Sequence, residues 1–168
     1  MDIRVLVLCF TMAFAISLAA TPGVKGLAYK IGAVDVPDSA RRVHKKPIPR
    51  LGGLAIFYGF LIALLCFANI DRQIKGIIIG SLIIVGIGII DDVKQLRAIY
   101  KLAAQILAAA IVVYHNVRIT AISMPSFIVE SGVLQLGVLS IPITMVWIII
   151  VTNAVNLIDG LDGLAVGI

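Results

Sequence analysis

Five apolar blocks run along this chain of 168 residues, at about Ile3–Thr21, Leu51–Ile70, Ile74–Ile90, Ala98–Tyr114 and Pro142–Ile158. Each is long enough, or nearly so, to cross a hydrocarbon core. No soluble domain of this size could cover so much apolar surface. Apolar residues make up 61% of the chain, against roughly 45–50% in soluble domains. Charged residues are only 14% and the mean hydropathy is +1.11. The blocks lack the alternation of barrel strands, so helix is the spanning form. The expected fold is all-α and integral to a membrane: a polytopic helix bundle with about five transmembrane helices. Gly76, Gly80, Gly86 and Gly88 in the third block read as close-approach points between helices.

The formal charge is +5, but the placement of the cations says more than their sum. Seven of the 14 lie between Lys25 and Arg50. With alternating spans, Val24–Arg50, Asp91–Arg97 and the stretch from Asp159 fall on one side, with ten cations when Lys101 is included. The other side holds four: Arg4, Arg72, Lys75 and Arg118. The positive-inside bias makes the first side cytoplasmic and puts the N-terminus outside, in a multi-pass plasma-membrane protein. A cleaved signal peptide fits less well, because the cations follow the first apolar stretch. A nucleic-acid surface is excluded by the flanking spans. Cys9 and Cys66 sit in apolar blocks and read as small hydrophobes. The outer segment His115–Ile141 permits a short β-hairpin, with Val117–Ile122 and Val133–Leu139 around Glu130-Ser131-Gly132.

Three polar constellations fall on the cytoplasmic side. Asp91-Asp92 closes the third span. Two adjacent carboxylates there read either as a solvated helix end or as a general base or part of a Mg²⁺ site. The run Asn153-Ala-Val-Asn156-Leu-Ile-Asp159-Gly160-Leu-Asp162-Gly163-Leu164 places an oxygen-bearing side chain at every third residue. On a helix that makes a stripe of hard ligands; the alternative is a polar helix–helix contact, but four polar residues at that spacing are too many for ordinary packing. Gly160 and Gly163 leave room for a ligand beside it. The third is the basic loop holding Arg41, Arg42, His44, Lys45 and Lys46, with Pro37, Pro47 and Pro49 stiffening it and Gly52-Gly53 opening the next span. Together they point to metal-dependent chemistry on a phosphate at the membrane surface.

These segments resemble a known family, the polyprenyl-phosphate N-acetylhexosamine-1-phosphate transferases, which include WecA-type enzymes and the MraY-type translocase. Three motifs carry the resemblance: Asp35-x-Pro37-x-x-x-Arg41-Arg42-x-His44-x-x-Pro47-x-Pro49-x-x-Gly52-Gly53, closer to the WecA type; Asp91-Asp92 with Leu96, Lys101 and Gln105; and the run from Asn153 to Leu164. The resemblance implies that a polyprenyl phosphate attacks the β-phosphorus of a UDP-N-acetylhexosamine, releasing UMP, with Mg²⁺ or Mn²⁺ offsetting the diphosphate charge. It implies Asn156 as a metal ligand and Asp91, Asp92, Asp159 and Asp162 as catalytic residues. Asp91 or Asp92 would activate or hold the lipid phosphate, and Asp159 and Asp162 would shape the nucleotide-sugar site. Lys101, Asn153, Arg41, Arg42, His44, Lys45, Gly52 and Gly53 would bind substrate. Which aspartate acts as base is open, as are the hexosamine and the oligomeric state.

Family members are longer, with a further metal-binding aspartate and a basic or His-rich loop in their second half. The expectation is that residues 1–168 form the N-terminal part of one transmembrane transferase domain, inactive and poorly stable alone. Competing readings are a CDP-alcohol phosphotransferase, whose Ala-Arg pair is absent, an ion-coupled transporter, which would put its ionisable groups near the bilayer midplane, and a truncated, inactive relative.

Overall fold

The computed structural model describes residues 2–35, 48–125 and 131–158. They form α1 (Ile3–Ile31), β1 (Val34–Asp35), β2 (Ile48–Pro49), α2 (Gly52–Phe67), α3 (Arg72–Lys94), α4 (Ala98–Tyr114), β3 (Ala121–Ser123), β4 (Val133–Gln135), a 3₁₀ turn (Gly137–Leu139) and α5 (Ser140–Ile158). The architecture is helical, as the apolar blocks predict. Ile3–Ile31, Arg72–Lys94 and Gly137–Asn156 are long and apolar enough to cross a membrane, and α2 and α4 are shorter apolar helices. Large apolar side chains such as Phe10, Phe14, Leu18 and Trp147 are exposed, as befits surfaces meeting lipid.

The described residues fall into two compact units, and α3 contributes to both. The first comprises Met1–Ile74 and Ile84–Arg97. Its centre is the α1–α2 pair. Ala55, Gly59 and Ala63 recur at every fourth residue of α2 and are all buried. A Cβ on Gly59 would collide with the Ser17 hydroxyl and the Ala13 carbonyl of α1. Small residues thus let the two backbones meet closely. A second layer joins Val24, Ala28, Ala33, Leu51, Leu54 and Ala55, with Val85 and Ile89 of α3 packed on it.

This layer explains the one large boundary difference. The first helix runs past the expected end at Thr21, through Pro22, to Ile31. Proline removes one N–H from the helix ladder, a cost that membrane helices tolerate. Packing of Val24 and Ala28 carries the helix onward. Gly32 ends it in the left-handed region at φ 76°, its N–H donating to the Ala28 carbonyl. Lys25 and Lys30 therefore lie on α1 and not in a loop. The ends of the basic loop are then tied by an antiparallel ladder, Val34 opposite Pro49 and Asp35 opposite Ile48. Arg50 N donates to the Ala33 carbonyl at 3.0 Å beside it.

The second unit comprises Lys75–Ile83 and Ala98–Ile168. Glycines act here as expected only in part. A Cβ on Gly76 would collide with His115, and one on Gly80 would lie 2.6 Å from Val112 Cγ2. Beside Gly86 and Gly88 there is nothing within 4 Å among the described residues. The expected hairpin is present but shorter, with Ala121 opposite Gln135, Ile122 opposite Leu134 and Ser123 opposite Val133. Thr144 anchors it to α5: the Ile119 N–H donates to Thr144 Oγ1 at 2.8 Å, and that hydroxyl donates to the Ser140 carbonyl at 2.6 Å. Thr144 is buried, so Thr144→Val should orphan the Ile119 N–H and lower stability by about 1–3 kcal/mol. Thermal unfolding in detergent checks this, and an unchanged melting point would remove the anchor from the account.

Candidate functional site

In the first unit, packing of Val85 and Ile89 against the α1–α2 layer brings the C-terminal end of α3 to the end where α1 stops and α2 starts. Asp91 and Asp92, the β1–β2 stem of the basic loop, and Gly52-Gly53 consequently share one end of this unit. Gly52 and Gly53 open α2 and are exposed, and a Cβ on either would meet nothing within 4 Å among the described residues.

Asp91 and Asp92 are half-buried. Asp91 organises the chain locally. Its carboxylate Oδ1 accepts from the Leu96 N–H at 2.8 Å, and its carbonyl accepts from the Gln95 N–H at 2.8 Å. Gln95 ends α3 in the left-handed region at φ 48°, unusual for a residue with a side chain. One oxygen of Asp91 is thus committed to the α3–α4 turn.

In the second unit, α4 and α5 run antiparallel, and the contact is made by amides. Asn153 Nδ2 donates to Gln105 Oε1 at 2.8 Å, and Gln105 Nε2 donates to Asn153 Oδ1 at 3.3 Å. With residue 105 opposite 153, Lys101, one turn earlier on α4 (about 6 Å along the axis), comes to the level of residues 156–158. Lys101 is half-buried and Asn156 exposed. Lys101 and Asn156 thus flank the Gln105–Asn153 pair, one turn from it on their own helices. Asp159 and Asp162 lie outside the described residues, as do Arg41, Arg42, His44 and Lys45.

Among the described residues no group of three or more His, Cys, Asp or Glu side chains could hold a metal ion. Donor chemistry is the informative test. Asp91 and Asp92 in the first unit, and Asn156 in the second, each carry an oxygen of the hard kind that Mg²⁺ prefers. Sequence reasoning named Gln105 only as part of the Asp91-Asp92 segment and gave it no role at the site. Its signal was available: between Lys101 and Tyr114 it is the one polar side chain of α4, and a buried amide needs a partner.

The model of the family described as glycosyl transferase family 4 matches residues 74–168. The chain belongs to glycosyl transferase family 4. That match covers α3, α4 and α5, the helices carrying Asp91, Asp92, Lys101, Gln105, Asn153 and Asn156. Among family 4 relatives, the chain is 42% identical to the "Probable undecaprenyl-phosphate N-acetylglucosaminyl 1-phosphate transferase" of Bacillus subtilis, over 97% of this chain and 45% of the relative. It is 36% identical to the "Decaprenyl-phosphate N-acetylglucosaminephosphotransferase" of Mycobacterium tuberculosis, over 99% of this chain and 43% of the relative. It is 32% identical to a "Phospho-N-acetylmuramoyl-pentapeptide-transferase" of Thermodesulfovibrio yellowstonii, over 98% of this chain and 50% of the relative. The chain thus spans half or less of the length of these curated relatives. No solved structure matches it.

Proposed function

We propose that this chain forms part of a membrane enzyme that transfers N-acetylglucosamine-1-phosphate from UDP-N-acetylglucosamine to a polyprenyl phosphate, releasing UMP. Such a step would begin the synthesis of a cell-surface glycan or cell-wall polymer. The observation that carries the reading is the Asn153–Gln105 amide pair that joins α4 to α5 within the family 4 segment, with Lys101 one turn earlier on α4 and Asn156 one turn later on α5. The names of the relatives at 42% and 36% identity support the donor sugar and the lipid acceptor.

In this reading an oxygen of the lipid phosphate attacks the β-phosphorus of the nucleotide sugar. A new P–O bond forms, the bond from the β-phosphorus to the bridging oxygen breaks, and that oxygen leaves with UMP. Asp92 takes up any proton on the lipid phosphate and orients it. Lys101 and the loop cations Arg41, Arg42, His44 and Lys45 attract the phosphates. Asp159 and Asp162 shape the nucleotide-sugar site, and Gly52 and Gly53, without side chains, let substrate approach the backbone. Asn156 is the proposed ligand of Mg²⁺, or of Mn²⁺, which when bound offsets the diphosphate charge. The excess of cations on one side of the alternating spans supports a cytoplasmic site, with the N-terminus outside.

The test is UMP release by the full-length protein in detergent with polyprenyl phosphate, Mg²⁺ and UDP-N-acetylglucosamine. Release should require all three, and EDTA should abolish it. Silence with every UDP-sugar would sink the transferase reading.

A further inference from the structure

We propose that Gln105 is a positioning residue: it fixes the Asn153 amide so that Asn153 offers the nucleotide sugar an oxygen acceptor and no donor. This deepens the transferase reading and rests on it. The argument begins at the Ile149 carbonyl, one turn back on α5. A carbonyl can only accept, so the nitrogen of the Asn153 side chain faces it, at 2.8 Å. The second N–H of that nitrogen donates to Gln105 Oε1 at 2.8 Å. Both donors of Asn153 are then spent. Its Oδ1 accepts from Gln105 Nε2 at 3.3 Å. An amide oxygen has two lone pairs, so one remains for a ligand.

The consequence is chemical selection. A phosphate oxygen, itself an acceptor, finds nothing to bond at Asn153. A sugar hydroxyl or an acetamido N–H finds an acceptor held in place. Gln105 is 8% exposed and lies on the same face of α4 as the buried Ala108 and Ala109. Its amide cannot turn to water, so its orientation is dictated by Asn153 and dictates it in return. The competing explanation is that the pair is only polar glue between α4 and α5.

A double-mutant cycle in the full-length protein separates the two. With UDP-N-acetylglucosamine varied, Gln105→Leu should lower kcat/KM by about tenfold, the cost of one misplaced hydrogen bond. The KM for polyprenyl phosphate should not move. In an Asn153→Ala background, Gln105→Leu should cost nothing further. Gln105→Glu keeps the acceptor for the Asn153 N–H and should recover most of the loss. Equal losses in both backgrounds, or full activity of Gln105→Leu, would overturn the proposal. Should the leucine variant lose its detergent melting transition, Gln105→Glu against Gln105→Met carries the test, and equal activity of those two overturns it. A wild-type protein silent with every UDP-sugar sinks the transferase reading, and this inference with it. An active wild type with an additive cycle sinks the positioning role alone.

Discussion

Asp92→Asn should lower UMP release by about 10³-fold, the scale of removing a positioned general base, while Asp91→Asn should cost far less. The difference comes from the end of α3. Asp91 Oδ1 holds the Leu96 N–H at 2.8 Å and so sets the turn into α4. Asparagine keeps an oxygen in that place and can accept the same bond. Alanine cannot, so Asp91→Ala should cost more than Asp91→Asn and should also lower the melting temperature. At position 92 asparagine removes the basicity and the charge that the proposed chemistry uses. Single-turnover rates with saturating polyprenyl phosphate, alongside thermal melts, check all three variants. If Asp91→Asn proved as damaging as Asp92→Asn, the division of labour between the two carboxylates would be wrong.

Gly59→Val should be the most destabilising single change in the first unit, by about 3 kcal/mol. An added Cβ there meets the Ala13 carbonyl of α1, which is backbone and cannot swing aside as a side chain can. Relief requires α1 and α2 to separate, which would disturb the packing of Val24, Ala28, Leu54 and Ala55 further along the same pair. Gly26 on α1 provides the control, since a Cβ there meets nothing within 4 Å. Gly26→Ala should stabilise, by about 0.5–1 kcal/mol, because alanine loses less backbone freedom in a helix. Unfolding in detergent, followed by circular dichroism, gives both numbers. Equal effects of Gly59→Ala and Gly26→Ala would rule out close packing as the reason for Gly59.

Much of the fold was legible before any coordinates. Block length and the lack of alternation predicted helices, and α4 begins and ends where its block does. The hairpin was legible from β-branched residues flanking Glu130-Ser131-Gly132, and Gly132 indeed sits at φ 67°. Errors arose where a local signal was outweighed by packing. Pro22 is a helix breaker in isolation, but Val24 and Ala28 have buried partners beyond it. Of the four glycines of α3, only Gly76 and Gly80 face a neighbour closely, while Gly59, in an unremarked position, does so most tightly.

The candidate site divides in the same way. Residue type and spacing drew attention to Asp91, Asp92, Asn153 and Asn156, because hard oxygens are rare in apolar helices and stand out there, while Lys101 entered through the resemblance to the transferase family. Hydropathy likewise dictated a membrane bundle, since no other arrangement buries so many apolar residues. Partnership is a different kind of information. That Gln105 belongs to Asn153, 48 positions away, that Asp91 spends an oxygen on its own turn, and that a two-residue ladder closes the basic loop depend on contacts distant or bent back in the chain. Such contacts are chosen by the competition of all packings at once, and no local pattern encodes them.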